Sequence, residues 1–328
     1  MSHSSFGDQH KEFLTATGIT TLIALAGLYL PVIGFLLSLF IPLPILFYRT
    51  KLGRSQGTLI LISVTLIVAL AMQGRSVTSV VFFFALGLIG IILAELFEMD
   101  LSLEKTVAVT TGVVVIAGAA VLALYALMST NTLWEQVSKY LYNNLELALS
   151  VYRQMDIPED QIDIISRSMD GILYVMLRIL PAIVIASTIL VVWSNLLLVR
   201  PLLRSNRLFC PDFGSLSEWK APESLIWFAI LAGFLIVLPH KGLKLFGING
   251  LIIMLVIYFF QGIAIVSFYF DKKGFPKILR GILYGLIALQ QFVLLLVIAA
   301  GFLDLWIDFR RLKKGVDNNN ESNTERDS

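Results

Sequence analysis

The sequence predicts an all-α, polytopic membrane helix bundle of about eight to nine membrane segments with an amphipathic extracytoplasmic arm. Three observations carry that expectation. Hydrophobic residues make up 57% of the 328-residue chain and charged residues 15%, and the mean hydropathy is +0.82, values foreign to a water-soluble domain. The apolar residues gather in runs long enough to cross about 30 Å of hydrocarbon. The lysines and arginines sit in short clusters at particular ends of those runs, the pattern that sets orientation in a cytoplasmic membrane.

The same composition removes whole classes of function. A net charge of +2, divided among juxtamembrane clusters with no basic face, gives no footprint for nucleic acid. The single cysteine, Cys210, excludes an internal disulfide and a multi-cysteine metal site. His3, His10 and His240 are scattered, no HxxxH occurs, and no nucleophile, base and orienting group can be assembled. The expectation is a non-enzyme with no catalytic residue, metal or cofactor.

The elements follow in chain order. Residues 1–12 form a polar tail, and residues 13–128 carry the N-terminal membrane helices. Phe13–Leu30 is the first apolar run; it contains Ala24-Leu25-Ala26, but the weak positive flank at Lys11 and the apolar residues that follow argue for a retained helix over a cleaved leader. Pro31 breaks it, and Val32–Tyr48 returns through Pro42 and Pro44 to Arg49, Lys51 and Arg54 at the cytoplasmic face. Gly57–Gln73 and Val77–Phe97 form a pair around a tight Gly74-Arg75-Ser76 connection, and Thr106–Met128 is a fifth span. Glu95, Glu98, Asp100 and Glu104 make the loop before it acidic; Glu95 is read as an interfacial end residue, the alternative being a functional carboxylate inside the bundle.

Residues 129–170 are the arm. Leu133, Val137, Leu141, Leu145, Ala148, Leu149 and Tyr152 recur at helical spacing from Thr132 to Arg153, which fits either a membrane-surface position or docking on the bundle. Asp156-Ile157-Pro158-Glu159-Asp160 reads as a second helix start, with a capping acid and proline in the first turn. That helix runs on into the longest apolar stretch, Gly171–Val199. The arm before it holds seven acids (Glu135, Glu146, Asp156, Glu159, Asp160, Asp163, Asp170) and three bases (Lys139, Arg153, Arg167), and Arg200, Arg204 and Arg207 follow it. The basic end therefore faces the cytoplasm and the arm faces out.

Residues 171–309 are the C-terminal membrane helices, with spans at Glu223–Pro239, Leu245–Phe270 and Gly281–Ile307. The last run poses a conflict. One crossing from Arg280 would leave the end outside, whereas Arg310, Arg311, Lys313 and Lys314 argue for inside, and two full crossings need about 40 residues. A re-entrant segment or an unusual outside tail resolves it. Residues 310–328 form a basic, then polar tail too hydrophilic to pack.

Polar groups inside apolar runs are the candidate binding residues. Asn195, Gln261, Gln290 and Gln291 are expected to face the bundle interior, where they either bond helices together or line a ligand site. Arg178 lies about 10 Å along a helix rising 1.5 Å per residue from Gly171. Its side chain can reach the outer interface. The alternative has Arg178 binding an anionic ligand under the arm, with Asp170 or Glu146 as resting partner.

The order of several motifs resembles the YybS family of bacterial multi-pass membrane proteins over most of the chain. They are Pro42-Leu43-Pro44 before a basic loop, a Pro181 helix ending near Asn195, Ser217-Glu218-Trp219-Lys220-Ala221-Pro222, Tyr258-Phe259-Phe260-Gln261-Gly262, and Leu303-Asp304-Leu305-Trp306-Ile307-Asp308-Phe309-Arg310. The family is in turn similar to the substrate-binding S components of energy-coupling-factor vitamin transporters and to the shape-determining subunit MreD. The resemblance implies either a small-molecule binding or transport subunit, or a non-catalytic membrane scaffold with a protein partner. For the first, Ala16, Thr20 and Ala24 would form the small-residue docking face, although Thr20 departs from the family's alanine pattern. A vitamin binder should stack aromatics in a dry cavity, and a scaffold should expose small-residue grooves to lipid.

Overall fold

The computed structural model describes residues 6–30, 33–73, 77–128, 132–155 and 158–310, and every regular element among them is a helix. The helices are α1 (Phe6–Tyr29), α2 (Ile33–Ser38), α3 (Pro42–Leu52), α4 (Arg54–Met72), α5 (Val77–Glu98), α6 (Leu103–Met128), α7 (Leu133–Gln154), α8 (Glu159–Ser205), α9 (Leu225–Val237), α10 (Lys241–Lys272), α11 (Lys277–Leu289) and α12 (Gln291–Ile307). Among the described residues seven helical segments are long and apolar enough to cross a membrane, and the bent pair α11 and α12 makes an eighth if taken as one span. The Gly74-Arg75-Ser76 connection, Pro31, Asp156-Ile157 and the tail beyond Arg310 lie outside the described residues.

Two compact units divide the chain. The first comprises Met1–Leu177 and Ser187–Asp212, and the second Arg178–Ala186 and Phe213–Ser328, so α8 contributes to both. At 47 residues α8 is about 70 Å long, more than twice the hydrocarbon thickness. Its acidic first turns must therefore stand clear of the bilayer. As expected, the helix runs without a break through the apolar stretch, but Pro158 is the residue before it and no side chain caps it.

In the first unit α3 packs on α4 and α5, burying Ile45, Leu46, Ile60 and Leu93 completely. Pro42 and Pro44 occupy the first turn of α3, where no backbone donor is missed, and Gly53, with φ of 93°, separates α3 from α4. Arg49 on α3 is buried, and Glu95 and Glu98 of α5 grip its guanidinium. Arg54 approaches the same carboxylates at 2.9 and 2.7 Å. Glu95 is thus an end residue that also neutralises a buried arginine.

Two sequence expectations for this unit are corrected. The polar start is helical from Phe6, and Glu12 pairs with Lys51 at 2.5 Å. The small-residue face of α1 is not free for a partner: Ala16, Thr20 and Ala24 are each 0% exposed, because α1 packs on α2, α3 and α4. Thr20 fits there by donating its own hydroxyl to the Ala16 carbonyl at 2.7 Å.

The arm begins with an amphipathic helix. A Thr132 and Glu135 capping box starts α7. Leu149, at the end of its stripe, packs with Ile162 and Met169 of α8, joined by Leu145 and Ile165. Only this end of the stripe meets α8: Ala148 and Tyr152 of the same stripe, with Trp134 and Tyr140 beside it, stay exposed.

In the second unit α9, only 13 residues long, lies on α10, and Ile226, Ala229 and Tyr258 form a core with Met254, Ile298, Phe302 and Leu305. The last apolar run is bent by 99° at Gln290. Arg280, at its start, is held by Asp271 and the Phe270 carbonyl, and at its finish the Phe309 carbonyl accepts from Tyr269 at 2.8 Å. Both ends of the run thus meet the same end of α10. That is the arrangement expected of a re-entrant segment, one of the two resolutions of the conflict at this run.

Candidate functional site

The second unit contains a groove of about 440 Å³, within the usual range for small-molecule sites. It is lined by Arg178, Pro181, Ala182 and Ile185 from α8 and by Gly242, Leu245, Phe246, Asn249 and Ile253 from α10. The three- and four-residue steps place each set on one helix face, and small Ala182 and Gly242 keep the space open. Pro181 has no N–H to give to the preceding turn. Beside it, Asn249 donates through Nδ2 to the Arg178 carbonyl at 3.0 Å, fixing α10 against this stretch of α8. Polarity in the groove is confined to Arg178 and Asn249; the remaining lining is aliphatic except for Phe246.

The same unit holds a buried polar clasp. Asp304 and Arg310 form an ion pair at 2.7 Å with both side chains 0% exposed. Gln261 Nε2 donates to the same Asp304 oxygen at 3.3 Å, and the Phe309 N–H donates to the other at 3.0 Å. Arg310 reaches on to the carbonyls of Ser217 and Trp219 at 2.9 and 3.0 Å. Gln261 Oε1 accepts from the Ala221 N–H at 3.3 Å, and Lys220 pairs with Asp308 at 2.8 Å. One carboxylate therefore ties α10, the end of α12 and the loop before α9 together. Asp308, in the left-handed conformation at φ 43°, turns the chain back so that Arg310 can reach Asp304.

These placements sort the sequence candidates. Arg178 lines the groove, and Gln261 belongs to the clasp. Asn195, 0% exposed, bonds the Leu39 carbonyl at 2.8 Å and the Val191 carbonyl at 2.7 Å, which joins α8 to the end of α2 within the first unit. Gln290 and Gln291 do not face the interior: both are exposed at the bend, because Gln290 leaves helical geometry with φ −96° and ψ 105°. Sequence reasoning quoted Asp304 and Arg310 only within a family motif and read Arg310 as part of a basic cluster, topological or a contact surface, so it missed the pair they form. The available signal was the lone acid in an apolar run, since a buried carboxylate demands a partner. It also missed Asn249, four residues after Leu245 on the groove face. Among the described residues no group of three or more His, Cys, Asp or Glu could hold a metal ion.

The Asn195 contacts carry a stability prediction. Asn195→Leu should lower thermal stability by about 1 kcal/mol or less, the size of an interhelical hydrogen bond in membranes, measured by thermal unfolding in mild detergent. A loss several times larger would show that the amide does more than join helices.

Long apolar helices, an amphipathic arm helix and a buried ion pair define this chain as a polytopic helical membrane protein. It belongs to the family described as "Predicted membrane protein (DUF2232)", whose model matches residues 18–305. It is also similar to "Uncharacterized protein YybS" of Bacillus subtilis (strain 168), at 27% identity over 276 residues, covering 78% of this chain and 82% of that protein. No solved structure matches the chain.

Proposed function

We propose that this protein is a non-catalytic, small-molecule-binding subunit of the cytoplasmic membrane, of the transport type to which S components belong. The observation that carries the reading is the groove headed by Arg178 and Asn249, an apolar space with few polar groups in fixed positions. Its lining argues against a flat vitamin, since Phe246 is alone among aliphatic residues. The burial of Ala16, Thr20 and Ala24 argues against partner docking through that face. The testing experiment is purification of the full chain in mild detergent with identification of co-purifying small molecules. A molecule retained by the wild type and lost from a groove-filling variant supports the reading; wild-type protein that retains none overturns it.

A scaffold reading, akin to MreD, draws on α6. Most of its apolar length is unburied, Ala117, Gly118, Ala119 and Ala120 are exposed, and a β-carbon at Gly118 would meet nothing within 4 Å. Small residues facing lipid suit close approach of another membrane helix. A partner protein lost on Gly118→Leu, with the small molecule absent throughout, would favour this reading.

For orientation, the arm is extracytoplasmic in both readings. In a Cys210→Ser background, a cysteine at Asn143 should react with an impermeant thiol reagent in intact cells, and one at Ser205 should not. The reverse labelling would invert the topology.

A further inference from the structure

Resting on the groove reading above, we infer that the occupant is an anionic phospholipid of the surrounding bilayer, its phosphate on Arg178 and one acyl chain in the groove. Four observations point there together. The lining is aliphatic along both helices, with no aromatic stack and no carboxylate, so it suits a flexible hydrocarbon chain better than a flat polar ring. The groove lies in the apolar parts of α8 and α10, and Phe246 at its edge is 75% exposed; its open side therefore faces hydrocarbon, and the occupant enters from the membrane.

The charge in the groove is positive. Arg178 is its one ionisable lining residue, and Lys241, next to Gly242, adds a second cation at the same end of α10. A guanidinium offers the forked donors that fit phosphate oxygens. Depth agrees with this: Arg178 lies level with Asn249, about 12 Å along α10 from Lys241. Its side chain leans back toward the start of α8 and can meet a headgroup near the interface, while Ala182, Ile185 and Ile253 line the path below for the chain.

The test reconstitutes the full chain in nanodiscs of phosphatidylglycerol, of phosphatidylcholine, or of an equal mixture, and reads retained lipid by native mass spectrometry after release into detergent. In the mixture the wild type should retain phosphatidylglycerol about tenfold over phosphatidylcholine, the size of one charge-assisted hydrogen bond. Arg178→Leu should abolish that preference, and Arg178→Lys should keep part of it. Gly242→Leu should reduce retention of both lipids by occupying the groove, and thermal unfolding of each variant in detergent verifies its fold. Equal retention of the two lipids by the wild type, or an unchanged preference in folded Arg178→Leu, overturns the inference. So does a water-soluble compound displaced by Gly242→Leu, although the groove reading then survives. Wild type that retains nothing, with no response to Gly242→Leu, overturns both.

Discussion

Arg310→Met is expected to destabilise the protein by about 3–5 kcal/mol, because it leaves the Asp304 carboxylate buried without its counter-charge. The pair is wholly sequestered, so water cannot replace the guanidinium. The same substitution removes the donor to the Ser217 and Trp219 carbonyls, and the loop before α9 loses its attachment. Two measurements follow: a lower unfolding midpoint in mild detergent, and faster limited proteolysis between residues 213 and 222. Asp304→Leu alone should be comparably harmful, since it strands the buried cation. The double variant Asp304→Leu with Arg310→Met should recover a large part of the loss in global stability, because no uncompensated charge remains, while the loop stays sensitive to protease. If Arg310→Met unfolds like the wild type, the clasp does not hold this unit together.

The clasp also shows where sequence and structure part. Membrane helices are legible because hydrocarbon admits a backbone only when its groups are paired within the segment, so a long apolar run fixes a helix by itself. That is why the long α8 could be read from composition, whereas the spacing in the arm marked an amphipathic helix and left open whether it lies on the membrane or docks on the bundle. Pairings between distant segments are another matter. Nothing in the spacing of Gln261, Asp304 and Arg310 states that they meet; the contact depends on Asp308 reversing the chain in a left-handed turn. The small-residue stripe on α1 is ambiguous in the same way, since alanine at four-residue steps permits close packing with any helix. Here α2, α3 and α4 of the same chain take that place. Gln290 and Gln291 misled because a polar residue in an apolar run marks either an inward face or a break, and only the 99° bend decides between them. Arg178 was legible as an exception without its setting: the groove needs α10, and the residue that fixes it, Asn249, carries no signal beyond one amide in an apolar helix.

Gly301→Leu should be the most damaging single change at the crossing of α10 and α12. A β-carbon at Gly301 would overlap the Tyr258 carbonyl, and one at Gly262 would overlap the Val297 carbonyl, so the two helices touch backbone to backbone at both glycines. A carbonyl in a helix cannot rotate aside as a side chain can. The helices must separate, and Gln261, one residue from Gly262, would be drawn away from Asp304, to which it is bonded at 3.3 Å. Overpacking alone costs about 1–3 kcal/mol, and the weakened clasp adds to it, so the folded protein should fail to accumulate or should unfold far below the wild type. Gly262→Leu should behave alike. The control lies on α6, where a β-carbon at Gly112 or Gly118 would meet nothing within 4 Å; leucine at either should leave the unfolding midpoint within the small range of surface changes, about 0.5 kcal/mol. Size-exclusion profiles and thermal unfolding of the four variants at matched expression decide it. Gly301→Leu with a wild-type midpoint would mean that α10 and α12 do not cross at these glycines.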